Sequence, residues 1–196
     1  MRNFRFYIFL AFIILSTPIS AKTVIEVIES NKDLSIFNTY LKKTGIDEIL
    51  KKKLPWNWTI FAPSNAAFKS ASLELKNQIL DDEILSKNIL MDHMMAGHYT
   101  SLDVSEEVTT QITVSNKPLQ IYKSRKLHVK DMVVVQENLI GNNGVVHVID
   151  CIMFVQPSKE DDRVSKDIEK EFPITSCCMR DSIEIKSFKD SVKSKF

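Results

Sequence analysis

Glycine is scarce, with four residues in a chain of 196. A phosphate-cradling loop needs several glycines in close order, so that chemistry is excluded. Cysteine is nearly as rare, at three, and the Cys-x-x-Cys spacing of a redox pair is absent. Neither sign of charge dominates: 26 basic and 25 acidic residues leave a net charge of +1. That excludes the clustered basic excess expected of a nucleic-acid-binding domain. Beyond the first 21 residues there is no long apolar run, so a spanning helix is not expected there. Internal repeats are also lacking.

What is present begins with a three-part leader. "MRNFR" is basic, "FYIFLAFIIL" is a ten-residue apolar run, and "STPISA" ends on a small residue, Ala21. This layout predicts a secretory signal peptide over residues 1–21. Its removal takes away Arg2 and Arg5 and no acid, which leaves 24 basic against 25 acidic residues and a charge of −1. The expected location is secreted or periplasmic, with no membrane insertion once the signal is gone.

The first half of the remaining chain reads as helical. "TVIEVIES" carries apolar residues at helical spacing, and Asn31 can end it. Leu34, Phe37 and Leu41 mark one face of a second helix, capped by Asp33 and stopped at Gly45. "IDEILKKKL" is a short third helix ended by Pro55. Lys51, Lys52 and Lys53 read as its solvated end, with a binding patch as the alternative. "WTIF" is a short strand, stopped by Pro63, and Ser64 caps the helix that follows. "LELKNQILDDEILSKNILMDHMM" is helical, broken at Asp81-Asp82, with Ile84, Leu85, Ile89 and Leu90 pointing inward. After Gly97, β-branched runs separated by turn residues predict strands up to about residue 155. Helices first and strands second argue for an α+β fold, with Thr59–Phe61 joining the later sheet. Residues 158–196 are dense in charge and read as an extension outside the core.

Three segments then stand in order: "TIFAPSNAAF" (59–68), "ILSKNILMDHMMAGHYT" (84–100) and "NGVVHVIDCIMFVQP" (143–157). Together they resemble the signature segments of the fasciclin (FAS1) domain family, over roughly residues 22–157. The resemblance implies a β-wedge of two sheets packed with helices from the N-terminal half. It implies a secreted, non-enzymatic adhesion module, of the bacterial single-domain kind, whose partner is a surface, matrix or envelope protein or glycan. It places a candidate partner contact at Asp92 and His93 and at the following turn with His98 and Tyr99. No Arg-Gly-Asp is present, so an integrin receptor is not implied by that motif. The expected state is a monomer or weak dimer. A small-ligand carrier or an unrecognised hydrolase on the same scaffold is the alternative.

Classical catalytic signals are weak. Ser64 follows a proline at a strand–helix junction but lacks the flanking glycines of a nucleophile elbow, so it reads as a cap. The histidines, His93, His98, His128 and His147, are not spaced as metal ligands, and no metal or cofactor is expected. The resemblance makes His93 and His147 internal ties between sheet and helices. Asp81-Asp82 and Asp161-Asp162 read as caps or solvated surface. Cys151, Cys177 and Cys178 read first as buried or idle thiols and second as a bridge from Cys151 to Cys177 or Cys178, with a link between chains as a further option.

Overall fold

A computed structural model describes residues 21–130, 132–153, 185–186 and 189–190. The signal-peptide assignment and most of the extension lie outside them. The helices are α1 (Val24–Ser30), α2 (Ser35–Lys43), α3 (Ile46–Leu50), α4 (Asn65–Ser70), α5 (Leu73–Leu75) and α6 (Glu83–Asp92). The strands are β1 (Trp58–Pro63), β2 (Met94–Ala96), β3 (Thr109–Ile112), β4 (Pro118–Lys123), β5 (Leu127–Val129), β6 (Met132–Val133), β7 (Gln136–Gly141) and β8 (Gly144–Ile149). They form two four-stranded sheets, β2-β1-β8-β7 and β3-β4-β5-β6. The α+β expectation holds, and β1 does join the later strands, pairing parallel with β8 from Trp58↔Gly144 to Pro63↔Ile149.

The first sheet is the middle layer. Trp58, Ile60, Ala62, Val146 and Val148 face the helices, where Phe37, Leu41, Leu50 and Ile89 complete the core. Phe61 and Ile149 face the other way, onto Leu119, Ile121 and Val129 of the second sheet. Every residue of β1 and β8 is therefore buried. A strand covered on both faces is apolar throughout rather than alternating.

Local chemistry sets many boundaries. Thr23 and Glu26 form a capping box at α1. Ser64 Oγ accepts from Ala67 N at 3.1 Å, and Asp82 accepts from Leu85 N at 2.8 Å, both as read from the sequence. Gly45 turns with φ +70°, which favours glycine.

Other readings need correction. Asp33 does not cap α2: Asn65 Oδ1, at the start of α4, accepts from Ile36 N at 2.9 Å. Met94-Met95 leave the helix and pair with β1, because an open sheet edge outbids local helix preference. Ile84 is 58% exposed, one position off the buried stripe of Leu85 and Ile89. Strand β7 carries a bulge between Gln136 and Leu139 that the sequence does not signal, with Asn138 at φ +60°. The extension is not wholly outside the core, since Ile185 is buried within the helical layer.

Candidate functional site

His93 caps the C-terminal end of α6 and is fully buried. Its Nδ1 lies 2.7 Å from the Ile89 carbonyl oxygen and its Nε2 accepts from Met153 N at 2.8 Å. Those partners require the neutral ring with its proton on Nδ1. Burial pushes the imidazole down to about 4, against smaller upward contributions from the Ile89 carbonyl and the charge of Asp92. The ring thus ties α6 to the segment after β8.

Asp92 is also fully buried. Its Oδ2 accepts from Lys117 Nζ at 2.8 Å, and Ser115 Oγ donates to its Oδ1. Ser115 in turn meets Thr113 Oγ1 at 2.9 Å, and Lys117 N donates to that same hydroxyl at 3.1 Å. The carboxylate therefore organises the β3–β4 turn and clamps it to α6. Neither Asp92 nor His93 offers surface to a partner, so their assignment as direct contacts is corrected: burial makes them supports.

Strand β2 follows them in the chain, and the segment beyond it is pinned by other residues. Thr59 Oγ1 donates to the Gly97 carbonyl at 2.9 Å and accepts from Tyr99 N at 3.0 Å. His147 Nε2 donates to the Tyr99 carbonyl at 2.8 Å, its ring stacked on Phe61 at 5.5 Å. Burial holds this imidazole below its usual range as well. Asn138 closes the loop, accepting from Ser101 N at 2.8 Å and donating to its hydroxyl at 2.7 Å. A side chain at Gly97 would run into the Tyr99 ring. The result is a backbone held from three sides that leaves His98 exposed, Tyr99 half-buried and Leu102 exposed by 85%. Leu102 was not singled out in the sequence; only its place between pinned residues marks it.

Ser124 Oγ and His128 Nε2 are 3.0 Å apart in the β4–β5 turn, but no carboxylate orients that ring among the described residues. Among the described residues no cluster of three potential metal ligands occurs. Cys151 is disulfide-bonded, which corrects the idle-thiol reading; its partner lies outside the described residues. No helix among them is long and apolar enough to cross a membrane. A cleft of about 310 Å³ lies between Thr23, Lys51–Lys53 and Asn142-Asn143.

Comparison with known proteins gives this architecture a lineage. The Fasciclin domain model matches residues 32–155. Human periostin is 27% identical over 135 residues, 68% of this chain but 16% of periostin. An uncharacterized protein of Synechocystis sp. is 24% identical over 132 residues, covering 67% of this chain and 97% of its own. A protein named heme ligase from Plasmodium falciparum is 23% identical over 152 residues, 66% of this chain and 74% of its own. Among solved structures, a FAS1 domain pair from the insect cell adhesion molecule fasciclin I superposes with a TM-score of 0.58 at 20% identity, over 67% of this chain and 50% of that one. The chain thus spans a small part of periostin and half of the solved pair, and nearly all of the Synechocystis protein. With the family model covering most of its length and the two-sheet, helix-packed fold in place, the chain belongs to the fasciclin family.

Proposed function

We propose that the protein is a non-enzymatic binding module acting outside the cytoplasm, and that it contacts a surface, matrix or envelope protein or glycan. The observation that carries this reading is the pinned segment Gly97–Leu102. Buried His147 and Thr59, together with Asn138, hold a loop that leaves the His98 and Leu102 side chains exposed. Preorganised surface of this kind lowers the ordering cost of binding. His98, Tyr99 and Leu102 are the proposed contacts.

The test uses residues 22–196, immobilised under oxidising conditions, with attachment of whole cells and of matrix proteins and glycans scored. Saturable attachment that falls in a His98→Ala, Leu102→Ser double variant with unchanged melting supports the reading. Attachment untouched by that variant removes the loop from it. The hydrolase alternative rests on the Ser124–His128 pair, and ester hydrolysis abolished by Ser124→Ala would favour it.

A further inference from the structure

The register of β7 on β8 runs Gln136↔Val148 and then Leu139↔Val146, so two residues of β7, Glu137 and Asn138, share the place opposite His147. Asn138, at φ +60°, donates its backbone N–H to His147 Nδ1 at 3.3 Å. On the other side of the ring, Nε2 donates to the Tyr99 carbonyl at 2.8 Å. Those two partners demand a neutral imidazole with its proton on Nε2. Phe61, the β1 neighbour of His147, lies stacked on the ring.

The same asparagine holds the 97–102 loop. Its Oδ1 accepts from Ser101 N at 2.8 Å and its Nδ2 donates to Ser101 Oγ at 2.7 Å. Ser101 sits in a turn braced within itself. Thr100 N and Oγ1 both donate to Asp103 Oδ2, at 2.9 and 2.6 Å, and Asp103 N returns a bond to the Thr100 carbonyl at 3.0 Å. Residues 100–103, with exposed Leu102 among them, form one unit. Its hold on β7 runs through Ser101 to Asn138, and from there to the ring.

A proton on Nδ1 reverses one of the two ring contacts. Nδ1–H would face Asn138 N–H, donor against donor, while Nε2–H keeps the Tyr99 carbonyl. Glu137 from β7 and His98 from the loop act on the ring directly; Lys123 faces Glu137, and Asp103 faces His98. From β1 the neighbours are Phe61 and Thr59, neither charged. Burial holds the ring below its ordinary value of 6.5, opposed by the Tyr99 carbonyl and Glu137 and aided by His98. His93 is buried in the same way, but its Nε2 holds Met153 N, so its protonation threatens the core rather than the loop.

We propose that His147 is an acid-operated latch on the 97–102 loop. A solvent proton taken up at Nδ1 displaces Asn138, Ser101 loses both bonds to it, and the 100–103 unit swings free of β7 while Tyr99 stays in place. The latch rests on the binding-module reading and gives that site its regulation: closed and competent at neutral pH, open and weakened in acid.

The test is an NMR titration of 15N-labelled residues 22–196 from pH 7.5 to 5, following the histidine rings and the exchange protection of backbone amides. Ser101 protection should fall about five- to tenfold, the factor a lost hydrogen bond carries, with the midpoint of the His147 ring. The Met153 amide should hold over the same range. Asn138→Gly suits φ +60°; it should leave Ser101 unprotected throughout and erase the step while the ring still titrates. His98→Ala should keep the step and move it to higher pH, because it removes a downward push on the ring. Cell attachment by the wild type should weaken along with the step, and attachment by Asn138→Gly should be weak at every pH. Ser101 protection indifferent to the ring's protonation, a step that vanishes in His98→Ala, or attachment undiminished with the latch open would each overturn the proposal. A step at Ser101 with no attachment at any pH supports the latch and removes the binding-module reading; attachment without the step does the reverse.

Discussion

Replacing His93 with glutamine should flatten the acid limb of the stability curve. In the folded protein the ring is held neutral, with its value lowered from 6.5 to about 4. In the unfolded chain it titrates near the ordinary value. Between the two, the unfolded state binds the extra proton, so stability is full above about pH 6.5 and falls as pH drops towards 4. The depression of about 2.5 units corresponds to a limiting loss of about 3 kcal/mol, of which about 2 kcal/mol is lost by pH 5. His147 is displaced in the same direction, so wild-type stability alone does not isolate His93. The assay is urea unfolding at pH 7.5, 6 and 5 for wild type and His93→Gln. The variant starts lower, because Met153 N and the Ile89 carbonyl lose their fitted partner. The wild-type advantage should then shrink by about 2 kcal/mol by pH 5. Parallel curves would refute the argument. If the variant does not fold, an NMR titration of the wild-type ring serves, and a midpoint near 6.5 would refute it equally.

Three other outcomes follow from the packing. Lys117→Met removes the cation 2.8 Å from buried Asp92 and should cost about 3–5 kcal/mol in urea unfolding, partly returned by adding Asp92→Asn. A loss below about 1 kcal/mol would show the pair behaving as a solvated one. Gly144→Ala forces a methyl into the Trp58 backbone and should cost more than Gly45→Ala, where open space leaves only the strain of φ +70°, about 1–3 kcal/mol. Thermal melts of the two variants decide the order. Ile185→Ala should cost about 2–5 kcal/mol if its burial in the helical layer stabilises the domain, and an unchanged urea midpoint would show that contact to be dispensable.

Features whose partners lie within a few residues were legible in the sequence. Ser64 and Asp82 cap helices through backbone groups three positions on, so their chemistry announces itself locally. Asn65 looks like any helix-start residue, and its capping of α2 is visible only once residues 29 and 30 positions apart meet. The same holds for the candidate contacts. His93 and Asp92 stand in a recognisable segment, yet their burial is decided by Met153 and by Lys117, 60 and 25 positions away. Strand β2 was hidden because Met94 and Met95 suit a helix as well as a strand, and only the open edge of β1 chooses between them. The lysine run was noticed, but its cleft depends on Asn142 and Asn143, which local reading assigns to a turn.

The parallel pairing of β1 with β8 also sets the order in which the domain can form. Helices α1–α3 and strand β1 are made early, but the apolar face of β1 has no neighbour on one side until residues 144–149 emerge. The hairpins of the second sheet close over short distances and can form as they are made, whereas the β1–β8 pair closes the longest loop of any strand pairing among the described residues, which slows folding. A chain cut before Gly144 lacks β8, one of the two inner strands of the first sheet, and leaves the wholly buried β1 open along one edge. Folding of this domain is therefore a late event in the life of the nascent chain, and a truncated product is destined for aggregation or degradation rather than partial function.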